Sequence, residues 1–470
     1  MTAVDWAEEV DVVIAGAGGA GLEAAIESAA AGATTMVSEK QPRLLESSTA
    51  IAVGRISFSG TPQQRNCGVE DSCELFYADI VETGKHRNVP ALVEAYIAHQ
   101  LDTYRQLTSL GIKWSPTVSA MAGMSVPRGH LTDPIDLVRG LKRELDARGV
   151  PVLFQTPVTD LVTDADGAVI GVTIQQRNGA TVRIRTRRGV VLASGGFARN
   201  PERLRAIEPR FGEVVATSGA GHAGDALRMA EALRADTADI EFVQPSFELH
   251  ATGGTADDIV LLYYQGGIIV NAYGERFVDE SISYKDIAGA CLDEPGQMGY
   301  QVFDSRVFDK AVAAQAAAGQ GSPMTLDASK IRLLVKGATI EALADRAGVP
   351  PARLRGTVDR YNQFVDAGVD QDFGRQALAG NYGKPQRLDK PPFYAFATIG
   401  HLLATYGGIA VDAGMRVLRE GCPIPGLYAA GEAVGGFHGA SYHSGTGLGK
   451  ALVFGRIAGM RAAMRRLQPR

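Results

Sequence analysis

The chain has 470 residues, enough for one large core or two domains, and we take two domains as the first expectation. A net charge of −5 with 21% charged residues gives no sign of a nucleic-acid-binding surface, and no apolar run predicts a membrane span. The four cysteines fit neither a disulfide framework, a zinc site nor a haem motif. We therefore predict a reducing, cytoplasmic setting and no metal site.

The first predicted unit is a strand, a glycine-rich turn, a helix and a second strand. The apolar run VDVVIAG (10–16) predicts a strand buried on both faces, LEAAIESAAAG a helix, and TTMVSEK a strand with Glu39 at its end. In the turn Gly16-x-Gly18-x-x-Gly21, glycines permit close approach of a pyrophosphate at the helix N-terminus, and the acidic residue binds ribose hydroxyls. The unit therefore predicts a dinucleotide site.

An antiparallel β-meander is predicted over residues 157–197, where apolar and polar side chains alternate. Asp166-Gly167 and Asn178-Gly179 separate the runs, and these pairs favour two-residue hairpin turns. The last strand, VVLASGG, ends in small residues that allow the backbone to lie against a flat ligand.

An inserted region is predicted from about 236 to 360, where aromatic residues are frequent and the pattern is mixed. The segment 339–368 predicts two amphipathic helices separated by Pro350-Pro351. The chain then returns to strands, glycines and a helix in GGIAVD, GLYAAGE and GASYHSGTGLGKALVFGRIAG. We therefore predict a dinucleotide-binding domain in two parts, 1–235 and 361–470, with an inserted domain at 236–360.

The bound cofactor is predicted to be a flavin. Segments 16–21, 193–197 and 426–432 end strands in small residues, and a fourth opens a helix near 447, whereas a nicotinamide enzyme usually needs one such segment. The residues expected to hold the cofactor are Gly16, Gly18, Gly19, Gly21, Glu39, Lys40, Ser48, Gly54, Ala193, Ser194, Gly195, Asp225, Gly431, Glu432, Gly447 and Leu448.

The motifs GAGGAG…SEK, ASGGF, GHAGDALRMA, GERFVDE, TYGGIAVD, GLYAAGEAVGG and LVFGRIAG resemble, in order, those of the fumarate reductase/3-ketosteroid dehydrogenase superfamily of flavoproteins. The resemblance covers nearly the whole chain. It implies an α/β fold, in which a Rossmann-like FAD-binding domain with an antiparallel β-meander carries an inserted α+β capping domain. LLESSTAIAVG has no histidine near the place where membrane-bound relatives attach flavin covalently, which implies non-covalent FAD.

Two tyrosines stand where soluble fumarate reductases carry arginines. Within GERFVDESISYKD, Tyr284 replaces the arginine that delivers a proton, and within HGASYHSG, Tyr442 replaces one that grips a carboxylate. Ala404 falls where the family has a carboxylate-binding histidine. A phenol does not replace a charged, bidentate guanidinium. We therefore predict that the protein does not reduce fumarate.

Ketosteroid dehydrogenases of the superfamily carry tyrosines at the positions resembling Tyr284 and Tyr442, and Tyr442-His443-Ser444 resembles the Tyr-x-Ser of the Δ4-(5α) type. This implies desaturation of a small-molecule cyclic ketone, of the cyclohexanone or 3-ketosteroid kind. We expect Tyr284, as tyrosinate, to remove the α-proton while hydride passes to flavin N5. Tyr442 is expected to donate to the carbonyl oxygen, aided by Ser444 or a backbone N–H around Gly445.

Several alternatives stay open at this point. An auxiliary tyrosine is expected, with Tyr263, Tyr264 and Tyr406 as candidates, and Arg128 is a candidate for meeting an anionic group on the substrate. The same site run in reverse gives an enone or acrylate-type reductase, and a flavin-binding protein without turnover is a third reading. The electron acceptor, whether oxygen, a quinone or a carrier protein, is not indicated by the sequence.

Overall fold

The computed structural model describes residues 5–121, 123–243, 245–253, 258–318, 325–379 and 383–465, without the side chains of 316–318. Its helices are α1 (Gly19–Ala30), α2 (Pro62–Asn66), α3 (Cys73–Thr83), α4 (Pro90–Ser109), α5 (Pro134–Ala147), α6 (Pro201–Ile207), α7 (Asp225–Ala232), α8 (Tyr284–Cys291), α9 (Ser305–Ala318), α10 (Ala328–Ile331), α11 (Ile340–Ala347), α12 (Pro351–Ala367) and α13 (Thr446–Ala463). Within these described ranges, every helix is too short or too polar to cross a lipid bilayer.

The strands are β1 (Glu8–Ala15), β2 (Thr35–Glu39), β3 (Arg55–Ser57), β4 (Val118–Ser119), β5 (Gly129–Leu131), β6 (Val152–Phe154), β7 (Val158–Thr163), β8 (Val169–Gln175), β9 (Thr181–Leu192), β10 (Val215–Ala216), β11 (Thr237–Ala238), β12 (Ser246–His250), β13 (Ile268–Val270), β14 (Met298–Asp304), β15 (Val335–Gly337), β16 (Phe393–Leu402), β17 (Gly408–Ile409), β18 (Arg416–Arg419) and β19 (Cys422–Ala429). With the helices, they confirm the predicted α/β class.

The larger sheet has the order β18-β19-β9-β1-β2-β6. Strands β19, β9, β1, β2 and β6 run parallel, so their carboxyl ends meet at one edge. The apolar residues of β1 are buried on both faces, as the continuous run VDVVIAG predicts. A site built from residues that follow these strands therefore lies at this edge.

Strand β9 joins the parallel sheet to the predicted meander. Its first part pairs antiparallel with β8, and its second part pairs parallel with β1. The two hairpin turns were predicted with the wrong length: Gly167 and Gly179 each donate to a carbonyl three residues earlier, on Asp164 and Gln176, and both glycines have φ near 80°. These are three-residue turns, which also place glycine at positive φ, so the dipeptides locate a turn without fixing its length.

Helices α1 and α13 approach closely because glycines line their contact. A Cβ built on Gly455 would lie 2.4 Å from the Ala20 carbonyl oxygen, and one on Gly459 would lie 2.1 Å from that of Ala24. The same absence of a side chain lets the start of α1 pack against the end of β1 at Gly21. The start of α1 therefore lies against the middle of α13, and the two helices run in the same direction.

Strand β16 is central to the second sheet, where it pairs with β10, β12, β14 and β15. Helices α11 and α12, the predicted pair, pack their apolar side chains with those of this sheet. The predicted boundary at 360 lies inside α12, and β16 follows it in the chain. We therefore propose that the capping region runs from about 236 to 402, with its first boundary kept as predicted.

We expect Gly459→Ala to lower the free energy of unfolding by about 1–3 kcal/mol, because the added methyl group would overlap the α1 backbone. Gly356→Ala, in α12, is the matched control: its built Cβ has nothing within 4 Å, so alanine should stabilise by about 0.5–1 kcal/mol. Urea denaturation followed by circular dichroism measures both. Equal stabilities of the two variants would contradict the close helix contact.

Candidate active site

A cavity of about 260 Å³ lies at the carboxyl edge of the larger sheet and extends to the capping region. On one side its wall contains Gly16, Glu39 and Ala193, which follow or end the strands β1, β2 and β9. On the other side it contains Leu261 and Tyr284 from the capping region. Both predicted parts of the site, for cofactor and for substrate, therefore meet in one cavity.

All of the residues predicted to hold the cofactor line this cavity except Gly21 and Gly431. These two glycines pack against residues of the cavity wall. A Cβ on Gly21 would lie 1.9 Å from the Gly16 carbonyl oxygen, and one on Gly431, at φ 68°, would lie 2.7 Å from the Ala20 Cβ. Most of the predicted glycines therefore line the cavity, while Gly21 and Gly431 serve packing behind its wall.

The first turn has the features that a dinucleotide requires. Gly16 has φ 109°, and a Cβ there would lie 2.6 Å from the Ala193 carbonyl oxygen. The Glu39 carboxylate accepts hydrogen bonds from the N–H groups of Ala17 at 2.8 Å and Gln41 at 2.7 Å. Held in this way at the end of β2, Glu39 is the residue that would bind ribose hydroxyls. The geometry fits FAD.

The remaining predicted cofactor residues are tied to their neighbours across the cavity. The Ser48 hydroxyl accepts from the Gly219 N–H at 2.9 Å, and the Ser194 hydroxyl accepts from the Ala226 N–H at 3.1 Å. Lys40 and Asp225 form an ion pair. These contacts hold separate loops of the wall together.

Glu432 carries a negative charge in the wall. Burial alone would raise its pKa, but His222, the Thr405 N–H and Lys450 outweigh burial and hold the pKa of Glu432 below its ordinary value. The Thr405 N–H donates to the carboxylate at 2.6 Å. Burial lowers the pKa of Lys450 to about 8, against the opposing attraction of Glu432.

Three tyrosines and one lysine meet where the cavity reaches the capping region. Tyr284 opens α8 after Ser283, while the rings of Tyr406 and Tyr442 lie nearly parallel, with centroids 6.0 Å apart. The Lys285 ammonium lies 5.3, 5.8 and 5.5 Å from the ring centroids of Tyr284, Tyr406 and Tyr442 respectively. Tyr442 is partly buried and the other three are buried. A single cation thus faces three phenol rings.

The Tyr442 hydroxyl oxygen sits at the N-terminus of α13. It accepts hydrogen bonds from the N–H groups of Gly445 at 3.0 Å and Gly447 at 3.4 Å. The Gly445 N–H, which the sequence suggested as a donor to the substrate carbonyl, is therefore directed to the phenol instead. Since its oxygen already accepts twice, the Tyr442 proton is left to donate into the cavity. Ser444 lines the same wall.

Burial sets the protonation of this cluster. It raises the pKa of Tyr284 well above the ordinary value, and the nearby Tyr442 and Glu248 raise it further. Burial lowers the pKa of Lys285 to about 8, against the attraction of Glu248 and Glu432. At neutral pH the lysine is mostly charged and Tyr284 is a neutral phenol, so the tyrosinate expected from the sequence is a minor species.

Of the three candidates for an auxiliary tyrosine, Tyr406 lines the cavity, whereas Tyr263 and Tyr264 do not. The Tyr263 hydroxyl donates to the Phe247 carbonyl at 3.1 Å, and the Tyr264 hydroxyl donates to that of Ile282 at 2.8 Å. Both are therefore committed to the backbone of the capping region. Tyr406 is the auxiliary candidate that remains.

Arg128 is not placed to meet an anionic substrate. It is fully buried, lies outside the cavity wall, and forms ion pairs with Asp71 and Asp79. Two carboxylates already balance its charge. The candidate anion-binding role is therefore corrected to a structural one.

Sequence reasoning missed several residues of the wall. They include Arg55, Met121, Glu248 and Lys285. For Lys285 the one signal in the sequence was its position directly after Tyr284. Its place at the start of a helix did not indicate that its side chain would face the cavity. The others stand in no motif, and only tertiary packing brings them to the cavity.

Comparison with known proteins agrees with this architecture. A family model described as an FAD binding domain matches residues 11–448. The fumarate reductase (cytochrome) of Shewanella frigidimarina is 31% identical over 462 residues, covering 97% of this chain and 77% of that protein. The open conformation of a flavocytochrome c3 fumarate reductase superposes with TM-score 0.82 and 29% identity, covering 98% of this chain and 79% of that chain.

A second solved structure is similar over its whole length. The 3-ketosteroid-Δ4-(5α)-dehydrogenase from Rhodococcus jostii RHA1, in complex with 4-androstene-3,17-dione, superposes with TM-score 0.78 and 28% identity, covering 98% of each chain. The superfamily predicted from the sequence is confirmed. The chain is an FAD-dependent oxidoreductase that belongs to the FAD-binding family of the fumarate reductase/succinate dehydrogenase flavoprotein superfamily, with 3-ketosteroid dehydrogenases among its structural neighbours.

Proposed function

We propose that the protein desaturates a cyclic ketone, of the cyclohexanone or 3-ketosteroid kind, next to its carbonyl group. The observation that carries the proposal is the convergence of Tyr284, Tyr406 and Tyr442 on one cavity, with two of these phenols standing where fumarate reductases are expected to carry arginines. Full-length similarity to a ketosteroid dehydrogenase that binds a ring ketone supports it.

Tyr442 holds the ketone in this proposal. Negative charge develops on the carbonyl oxygen as the α-proton leaves, and the Tyr442 hydroxyl donates to that oxygen. The N–H groups of Gly445 and Gly447 polarise the phenol from behind, so the helix N-terminus stabilises the charge through it. A donor of this kind typically contributes about 3–4 kcal/mol to the transition state.

Tyr284 removes the α-proton. The Lys285 ammonium, 5.3 Å from its ring centroid, favours the phenolate over the neutral phenol by Coulomb attraction. Bound FAD supplies the acceptor for the hydride that leaves the β-carbon. The α-proton goes to Tyr284, its electron pair forms the new C=C bond, and Tyr442 keeps the carbonyl polarised throughout.

The same residues favour a second candidate, an enone or acrylate-type reductase. A neutral Tyr284, whose pKa burial raises, is ready to give a proton to the α-carbon of an enone. The 31% identical relative is named as a reductase. A flavin-binding protein without turnover is the third reading.

We also propose that FAD is held without a covalent bond. The wall segment 46–54 faces the cavity and contains no histidine. The choice of oxygen, a quinone or a carrier protein as electron acceptor stays open, and a cytoplasmic location stays a prediction from the sequence.

Anaerobic mixing tests the direction of the reaction. We expect the yellow protein to lose its flavin absorbance on addition of cyclohexanone or a 3-ketosteroid, and mass spectrometry to detect the enone. If ketones have no effect while enones reoxidise the chemically reduced protein, the reductase is the correct function. Inertness to both classes leaves a binding protein.

Replacing Tyr284 by phenylalanine tests the base. The variant should retain FAD and lose at least about two orders of magnitude in ketone turnover, because a positioned acid–base group contributes that much. Tyr273→Phe is the matched control, since Tyr273 is 57% exposed on the capping region. Steady-state kinetics measures both. Near-normal turnover by Tyr284→Phe would remove this residue from the mechanism.

The pH dependence follows from the raised pKa of Tyr284. Burial, Tyr442, Glu248 and Tyr406 keep the phenol neutral at pH 7, so the phenolate fraction grows up to tenfold per pH unit as pH rises. We expect kcat/KM for desaturation to rise between pH 7 and about pH 9, less steeply once Lys285 loses its charge near pH 8. A flat or falling profile would speak against a tyrosinate base.

A further inference from the structure

One buried arginine differs from the others in its partners. Arg128, Arg276 and Arg375 are buried and each forms ion pairs with carboxylates, namely Asp71 and Asp79, Glu280 and Asp370, and Glu280. Arg55 is also buried, with 8% of its surface exposed. In the part of the chain that the structure describes, it forms no ion pair. Because a buried charge is expensive without a counter-charge, Arg55 needs an anionic ligand.

The Arg55 side chain is held in place by the sheet beneath it. Its Nε donates to the Ser119 hydroxyl at 3.2 Å, and that hydroxyl donates to the Gly129 carbonyl at 3.2 Å. A Cβ on Gly129 would lie 2.8 Å from the Arg55 Cδ, so the glycine makes room for the arginine to lie across β5. Among the described residues Nε has this one partner, and the two terminal nitrogens have none. They are left for a ligand in the cavity.

Arg55 belongs to the substrate end of the cavity. Its charge acts on the Tyr442 phenol, the proposed donor to the ketone. Met121, two residues beyond Ser119, lines the same wall and packs with Tyr284 in the apolar cluster of the capping region. A ring held by Tyr442 at its carbonyl would therefore share this end of the cavity with the guanidinium.

We propose that Arg55 binds a carboxylate on the substrate, which makes the substrate a ring oxo acid. A planar guanidinium fork with both terminal nitrogens free matches the two oxygens of a carboxylate. The inference rests on the proposed function and specifies its substrate class. It also places the anionic end of the substrate on β3, away from the two positions where arginines are replaced by tyrosines.

Ligand binding to the holoenzyme tests this without turnover. Cyclohexanecarboxylate and cyclohexanemethanol have similar shape, lack a ketone and differ in charge, and their binding is followed by perturbation of the flavin spectrum. We expect the acid to bind at least about tenfold more tightly than the alcohol, as a charge-assisted pair allows. In Arg55→Gln, the ratio of the dissociation constants of the alcohol and the acid should fall close to one. Arg183→Gln, on the exposed part of β9, should keep the preference for the acid.

Two results would overturn the proposal. One is equal binding of acid and alcohol by the unaltered protein. The other is an unchanged acid preference in Arg55→Gln together with a shifted flavin reduction potential, which would assign Arg55 to the cofactor. If Arg55→Gln does not retain FAD, Arg55→Lys takes its place, with an expected preference between those of the other two proteins, because lysine keeps the charge and loses the fork.

The outcome is independent of the direction of the reaction. A reductase or a binding protein would show the same acid preference if Arg55 holds a carboxylate, so failure of the desaturase proposal leaves this test readable. Conversely, a protein that desaturates neutral ketones and binds the alcohol as well as the acid would keep its proposed function and lose this substrate class.

Discussion

The close contact between α1 and α13 decides where the chemistry of this protein takes place. Glycines at 455 and 459 let the two helices touch backbone to backbone, which fixes the position of α13 relative to the strand that precedes α1. The N-terminus of α1 then faces the dinucleotide turn, and that of α13 presents two N–H groups to Tyr442. The contact between α1 and α13 therefore places the N-termini of both helices, with their partial positive charges, at one cavity.

At the substrate end of the cavity, burial and nearby positive charge have opposite effects on the ionisation of the phenols. Burial keeps the phenols neutral. Lys285 and Arg55 nevertheless bring positive charge close to them, and Arg55 forms no ion pair with a described carboxylate. Charge that appears on a phenol or on a carbonyl oxygen therefore finds compensation already in place, and little reorganisation is needed when it forms. Although the sequence predicts tyrosines in place of family arginines, positive charge still reaches these phenols from Lys285 and Arg55.

The parts of the fold predicted from the sequence are those set by local chemistry. The segment from β1 through Gly16 to Glu39 was predictable because a strand, a glycine turn, a helix and an acidic residue follow one another in the order that a dinucleotide site requires. The partners of β16 were not predictable, since pairing with strands more than 50 residues away leaves no local trace. The predicted role of the Gly445 N–H, as a donor to the substrate, was wrong for a related reason. Its acceptor is the Tyr442 hydroxyl, and the orientation of that side chain is set by tertiary packing.

Strand β16 ends at Leu402, and Thr405 is already bound to Glu432 through its N–H. If the capping region ends at Leu402, as proposed above, two residues join its last strand to Thr405. In this division Tyr284 belongs to the capping region and Tyr442 to the flavin-binding part. A capping region that moved to admit substrate would separate the two phenols, so the proposed base and carbonyl donor would contact the same ketone only with the cavity closed.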